Sequence, residues 1–241
     1  ESTLAYNAGV VTEYRYRGIS QSRFKPAVQG GVDYTDKNGW YVGAWASTIK
    51  WISDAAYATS PQTAGIKGPV ELDLYGGYKF PIGELGMDVG YLRYQYVNNN
   101  LANMTANYKN PNTDEVYAAG TYGPFTLKYS YAFSNLFGNY NFTTDKGTAG
   151  STYLDLSATF DLGNGLTLVP HAGKQTVKNL SDYTYSDYAL TLNKDFGNGY
   201  SVSAAAINTN AKLAAYAVPV TGMTNKNLGK SAVVLGLKYT F

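Results

Sequence analysis

Charged side chains are scarce in this 241-residue chain, 15% of all residues, against roughly 25% in an average globular domain. They also recur at alternate positions. Glu13, Arg15 and Arg17 alternate with Tyr14 and Tyr16. Glu71, Asp73 and Lys79 share one parity of a run whose other parity is Val70, Leu72, Leu74, Tyr78 and Phe80. Asp33, Asp88, Glu115, Lys128, Asp155, Asp161, Asp187, Asp195 and Lys238 obey the same rule. On that face ten carboxylates stand against five cations. If water reaches it, the excess favours cations over anions, as rings of charged side chains do in pores. The alternative is internal pairing, Arg15 and Arg17 against Glu71, Asp73 or Asp33, which would fill the space. Asp33 with Asp73 could also offer oxygen ligands to a divalent cation, although strand carboxylates at this spacing are common in barrels.

Other chemistry is narrower. The chain has no Cys and one His, which excludes disulfides, thiolate metal sites and any multi-histidine centre. Nucleophilic catalysis would need Ser, base and an orienting carboxylate in contact. His171 instead shares parity with Thr167, Val169 and Gly173 and reads as a hydrogen-bonded interior histidine. Pro170 beside it removes a ladder donor and could shift the parity through a bulge. We expect no catalytic residue, no metal and no cofactor. With a net charge of +2 and no cluster of Lys or Arg, nucleic acid is not an expected partner.

The elements that position these residues are strands. Period-two alternation also runs through Phe125, Leu127, Tyr129, Tyr131 and Phe133, and through Val233, Leu235, Leu237, Tyr239 and Phe241. Runs of about ten residues match a tilted membrane-crossing strand of about 9–11 residues. Short turns (Asp36-Lys37-Asn38-Gly39, Pro81-Ile82-Gly83-Glu84, Gly123-Pro124, Gly163-Asn164-Gly165, Gly197-Asn198-Gly199) separate alternate pairs. Longer loops at 51–68, 98–112, 135–150, 174–183 and 208–230 join the rest, and only the first, near Gln21 to Lys25, reads as short. The Gly-Asn-Gly triplets are turn chemistry, since neither precedes a helix.

This asymmetry predicts an all-β fold, a transmembrane antiparallel up-and-down β-barrel of 12 strands (10 or 14 as alternatives) forming one domain over 1–241. The strands fall at 5–19, 25–36, 40–50, 69–80, 85–97, 113–122, 125–134, 151–162, 166–176, 184–196, 200–208 and 231–241. Both termini then lie at the short-turn, periplasmic end. Tyr makes up 24 residues, and Tyr14, Tyr16, Trp40, Tyr78, Phe80, Phe160, Phe196, Tyr200, Tyr239 and Phe241 mark strand ends, as an aromatic girdle at the lipid boundary would. Loop 51–68, with Trp51, Ile52, Tyr57 and Ile66, could fold inward or pack outside. Lys109, Lys174, Lys178, Lys212, Lys226 and Lys230 make the long loops basic, suited to lipopolysaccharide phosphates or to collecting anionic solutes.

The stretch Val10-Val11-Thr12-Glu13-Tyr14-Arg15-Tyr16-Arg17-Gly18-Ile19-Ser20-Gln21-Ser22 resembles the opening motif of the TorF family, the Gcw_chp family of bacterial proteins. Lys25-Pro26-Ala27-Val28-Gln29-Gly30-Gly31-Val32-Asp33-Tyr34, Gly39-Trp40-Tyr41-Val42-Gly43-Ala44-Trp45-Ala46-Ser47, Glu71-Leu72-Asp73-Leu74-Tyr75-Gly76-Gly77-Tyr78 and Gly123-Pro124-Phe125-Thr126-Leu127-Lys128-Tyr129-Ser130-Tyr131 are similar to it too. The resemblance covers the whole chain and implies a Gram-negative outer-membrane barrel acting as a porin, with no substrate or catalytic residue to transfer.

The expected pore-lining set is therefore Glu13, Arg15, Arg17, Asp33, Glu71, Asp73, Asp88, Glu115, Lys128, Asp155, His171, Asp187 and Lys238. Tyr239 and Phe241 look like the C-terminal signal read by the barrel-assembly machinery. The expected partners are that machinery, outer-membrane lipids, lipopolysaccharide, and small polar solutes or ions. A closed, plugged barrel and a lipid-modifying enzyme are the alternatives.

Overall fold

A computed structural model describes residues 1–59 and 67–241. Among these, twelve antiparallel strands close on themselves. They are β1 (Thr3–Val11), β2 (Ala27–Thr35), β3 (Trp40–Thr48), β4 (Val70–Ile82), β5 (Leu85–Tyr96), β6 (Thr113–Tyr122) and β7 (Phe125–Ala132), then β8 (Thr152–Ala158 continued by Phe160–Gly163), β9 (Leu166–Thr176), β10 (Tyr185–Asp195), β11 (Tyr200–Thr209) and β12 (Ala232–Thr240). Each pairs with its sequence neighbours, and β1 pairs with β12 to seal the barrel. Tyr6 and Phe241 exchange two backbone hydrogen bonds of 2.9 Å at that seam.

Alternation sets which face is which. Leu4, Tyr6 and Val10 of β1, Leu154 and Leu156 of β8, and Val233, Leu235 and Leu237 of β12 are exposed on the outside. Along those strands the odd positions of β1 and β8 and the even positions of β12 turn inward. At the short-turn end the outer rings pack together: Trp40 against Tyr78 at 4.6 Å, Tyr200 against Tyr239 at 4.6 Å, and Phe241 stacked on Tyr6 at 5.8 Å. At the far end Tyr91 and Phe133 lie 6.1 Å apart, and Tyr91 donates to Asp114, which Arg93 also holds. The hairpin between β8 and β9 turns on Asn164 and Gly165, both at positive φ, the conformation that makes Asn-Gly a hairpin signal.

Pro170 introduces no bulge. Ser157 pairs with His171 and Phe160 with Leu168, so the register is the same on both sides. Instead β8 breaks at Thr159, next to the place where Pro170 has no N–H to offer, and Thr159 donates to the Pro124 carbonyl. The parity of His171 therefore stands.

The first strand departs from expectation. Residues 5–19 are not one strand: β1 ends at Val11, and residues 12–26 fold into the barrel as a plug. Arg15–Tyr16 and Ile19–Ser20 form a small hairpin there, turning on Arg17 (φ 47°) and Gly18 (φ 77°). This first connection is thus long, not short. The plug also removes Tyr14 and Tyr16 from the lipid girdle: Tyr14 is buried and packs edge-on against Trp45 of β3. Helix α1 (Trp51–Thr59) lies on the plug at the long-loop mouth, with Ile52 and Ala55 buried. Ile66 and the Tyr57 side chain lie outside the described residues.

Candidate functional site

Inside the barrel the plug reaches from wall to wall. Tyr14 donates to Glu71 of β4 at 2.8 Å, and the Tyr16 and Tyr94 hydroxyls meet on β5. Arg17 makes two parallel hydrogen bonds to Glu115 of β6, at 3.0 and 2.9 Å, and a third to Gln175 of β9 at 2.7 Å. Its guanidinium also lies over Tyr153 of β8, 4.2 Å from the ring centroid. From β10 the Tyr185 hydroxyl donates to the Arg17 carbonyl at 2.8 Å. A planar guanidinium that meets a carboxylate edge-on and an aromatic face flat uses both recognition modes available to Arg. The Arg17 and Glu115 side chains are 7% and 3% exposed, so the pair is shielded from solvent inside the barrel.

Arg15 does not cross to the far wall. It binds Glu13, and donates to the carbonyls of Gly18 and Lys230 at 2.9 and 2.8 Å. The alternative pairing of Arg15 and Arg17 with Glu71, Asp73 or Asp33 is absent among the described residues, although Arg17 does pair across the lumen with Glu115. Glu71 is 57 positions from the tyrosine that holds it, and no local pattern announces that contact. At the mouth, Arg23 and Asp54 form an ion pair of 3.2 Å. Burial pushes the Asp54 carboxyl above the usual carboxylate range although Arg23 pulls the other way, and burial pushes Tyr108 up to about 12.

Below and beside the plug the wall is built from flat-lying tyrosines. Tyr75 lies against Gly43 on the facing strand, where a Cβ would come 2.4 Å from its ring. Tyr41 covers Gly77 and Tyr117 covers Gly90 in the same way. Glycine leaves room for each ring to lie along the wall, and each hydroxyl then finds a partner. Tyr75 donates to Asp33 at 2.5 Å, Tyr41 to Asp88 at 2.6 Å, and the Tyr41 and Tyr117 hydroxyls touch.

Three cavities follow. One of about 660 Å³ at the short-turn side is lined by Asp33, Asp73, Asp88, Lys79 and Lys128 among tyrosines. A second, about 320 Å³, runs beside the plug past Arg17, Glu115, Asp155, His171 and Asp187. Lys238 borders a third of about 190 Å³ with Asn7, Gln29 and Ser201.

His171 sits in a wall network. Its Nε2 lies 2.6 Å from Asp187 and 3.2 Å from the Tyr153 hydroxyl, and its Nδ1 is 3.2 Å from Asp155. Tyr153 in turn donates to Asp187 at 2.7 Å. No hydrogen bond between His171 and a serine is present among the described residues.

Asp161 and Asp195, assigned to the lumen by parity, lie at the short-turn ends of β8 and β10, where both are exposed. Each accepts a backbone N–H two residues on, from Gly163 and Gly197. Tyr239 and Phe241 lie on the outer face of β12.

The plug as a plug was missed. Two signals carried it: a proposed first strand of 15 residues (5–19), longer than a span needs, and Arg17-Gly18, a turn dipeptide inside it.

A family model described as "Bacterial protein of unknown function (Gcw_chp)" matches residues 1–241. No curated protein sequence matches the chain. Among solved structures, the KdgM porin superposes with a TM-score of 0.56 at 8% identity, over 100% of this chain and 99% of that one. The NanC porin gives 0.57 at 10% identity over 99% of both chains. The outer-membrane protein Omp33 of Acinetobacter baumannii gives 0.50 at 8% identity, over 99% of this chain and 97% of that one. At these identities the likeness is one of fold.

Proposed function

Since this chain belongs to the Gcw_chp family of bacterial proteins, whose description assigns no activity, we propose from its own geometry that it is an outer-membrane porin. It passes small polar solutes and ions, and prefers cations. The observation that carries this reading is a closed barrel with an apolar outer face and polar cavities below and beside a plug that narrows the lumen.

The cation preference follows from pairing. Arg17 is spent on Glu115, and Arg15 on Glu13. Asp33, Glu71, Asp73 and Asp88 keep no ion-pair partner among the described residues, while Lys79 and Lys128 lie over tyrosine rings. Unpaired carboxylates in a confined space raise the local concentration of cations. The fold of the porins superposed above supports an outer-membrane setting. In that setting the short turns and both termini face the periplasm, the girdle meets lipid, and the loop lysines meet lipopolysaccharide. Tyr239 and Phe241 would then present the assembly signal.

Single-channel recording of the purified protein in planar bilayers tests the reading. Discrete conductance steps are expected. Their absence at high salt would leave the second reading, a barrel closed by its plug, which the hydrogen bonds of Arg17 to Glu115 and Gln175 favour.

A further inference from the structure

Asp73 is the strangest carboxylate in the lumen. It is 9% exposed, and its Oδ1 has no hydrogen-bond partner among the described residues. An unmet buried acceptor is costly, more so when it is charged. Glu71, two residues along the same face, is buried as well, and neighbouring carboxylates repel unless a cation compensates them.

The surroundings are aromatic. Trp45 stands directly across the ladder from Asp73, and Tyr75 lies two residues along the same face. Tyr14 closes the side of the plug, 5.4 Å from the Trp45 ring. All four residues border the 660 Å³ chamber.

That chamber already shows how it holds ammonium groups. Lys128 places its Nζ 4.0 Å from the Tyr117 ring centroid, and Lys79 places its own 5.1 Å from Tyr41. Neither lysine reaches Asp73.

We propose that Asp73, walled by Trp45, Tyr75 and Tyr14, is a binding site for a small organic cation of the alkylammonium class. A buried carboxylate supplies the charge, and aromatic faces supply the cation–π contact that bare metal ions, more strongly hydrated, exploit less well. The site deepens the channel reading and rests on it for its role as a halt for cations in transit, but binding itself requires no current.

The test is calorimetric titration of the detergent-refolded protein with tetramethylammonium, with tert-butyl alcohol as the uncharged probe of similar shape and potassium as the ion without an organic surface. Saturable binding of tetramethylammonium, absent for tert-butyl alcohol and weaker for potassium, is expected. Asp73→Asn should weaken it by roughly tenfold or more, the scale of one lost charge-assisted contact. Trp45→Leu keeps the carboxylate and should weaken tetramethylammonium without changing potassium, and it guards against a misfolded Asp73 variant. No binding by the wild-type protein, or equal binding by Asp73→Asn, overturns the site. Binding without conductance refutes the channel and leaves the site standing. Conductance without binding does the reverse.

Discussion

Arg17, on the connection between β1 and β2, lays its guanidinium on Glu115 of β6 through two parallel hydrogen bonds, 98 residues away in sequence. In the ring of twelve strands β6 lies more than a third of the way round from the junction of β1 and β2, so this pair helps tie the plug to a distant part of the wall.

Arg17→Ala should free the tip of the plug. It leaves Glu115 buried without its cation, a change that costs about 3–5 kcal/mol for a buried pair. The expected result is a larger single-channel conductance with noisier current, and a lower urea midpoint in the same sample. Glu115→Gln should act in the same direction but less strongly, because Gln175 and Tyr153 still hold the guanidinium.

Gly18 touches the wall where a Cβ would sit 2.4 Å from Thr209 and 2.8 Å from Asp187. Gly18→Val adds bulk at a residue with φ of 77°. Overpacking of this kind costs about 1–3 kcal/mol, with the αL position adding to it. The plug should detach while the barrel persists. Protease accessibility of the plug, measured alongside heat-modifiable gel mobility of the barrel, distinguishes the two.

The flat tyrosine wall predicts a pore effect of opposite sign. Gly43→Val should push the Tyr75 ring off the wall and break its hydrogen bond to Asp33. Conductance should fall, while Gly30→Val on the same sheet, whose Cβ meets only the Asn7 carbonyl at 3.2 Å, should change it far less.

Parity is itself testable. Leu235→Lys puts a charge on the outer face and should cost about 2–4 kcal/mol near the bilayer midplane. Ser203→Lys, on β11 opposite Gly236 of β12, faces inward. It should leave urea unfolding in lipid nearly unchanged and shift ion selectivity towards anions. Equal destabilisation by the two would contradict the assignment of faces.

The barrel was legible because its signals are local. Asp36-Lys37-Asn38-Gly39 and Asn164-Gly165 mark hairpins by chemistry that acts within four residues, and Leu154 or Val233 declare their face by parity with their neighbours. The plug was illegible for the corresponding reason. The alternation of Glu13, Arg15 and Arg17 with Tyr14 and Tyr16 fits a strand and a folded-in hairpin equally, and period two cannot choose between them. What chooses is Glu115, Gln175 and Glu71, which come from strands far along the chain. The same holds for Asp73: its parity was readable, but that its oxygen goes unpartnered beside Trp45 depends on how the plug packs.

The reversal potential of the purified protein in a planar bilayer under a KCl gradient tests the central claim most directly. The account predicts a nonzero potential of the sign set by potassium permeating faster than chloride, reduced in Asp73→Asn. A potential of the opposite sign, with chloride favoured, would contradict it, and so would a bilayer that never conducts.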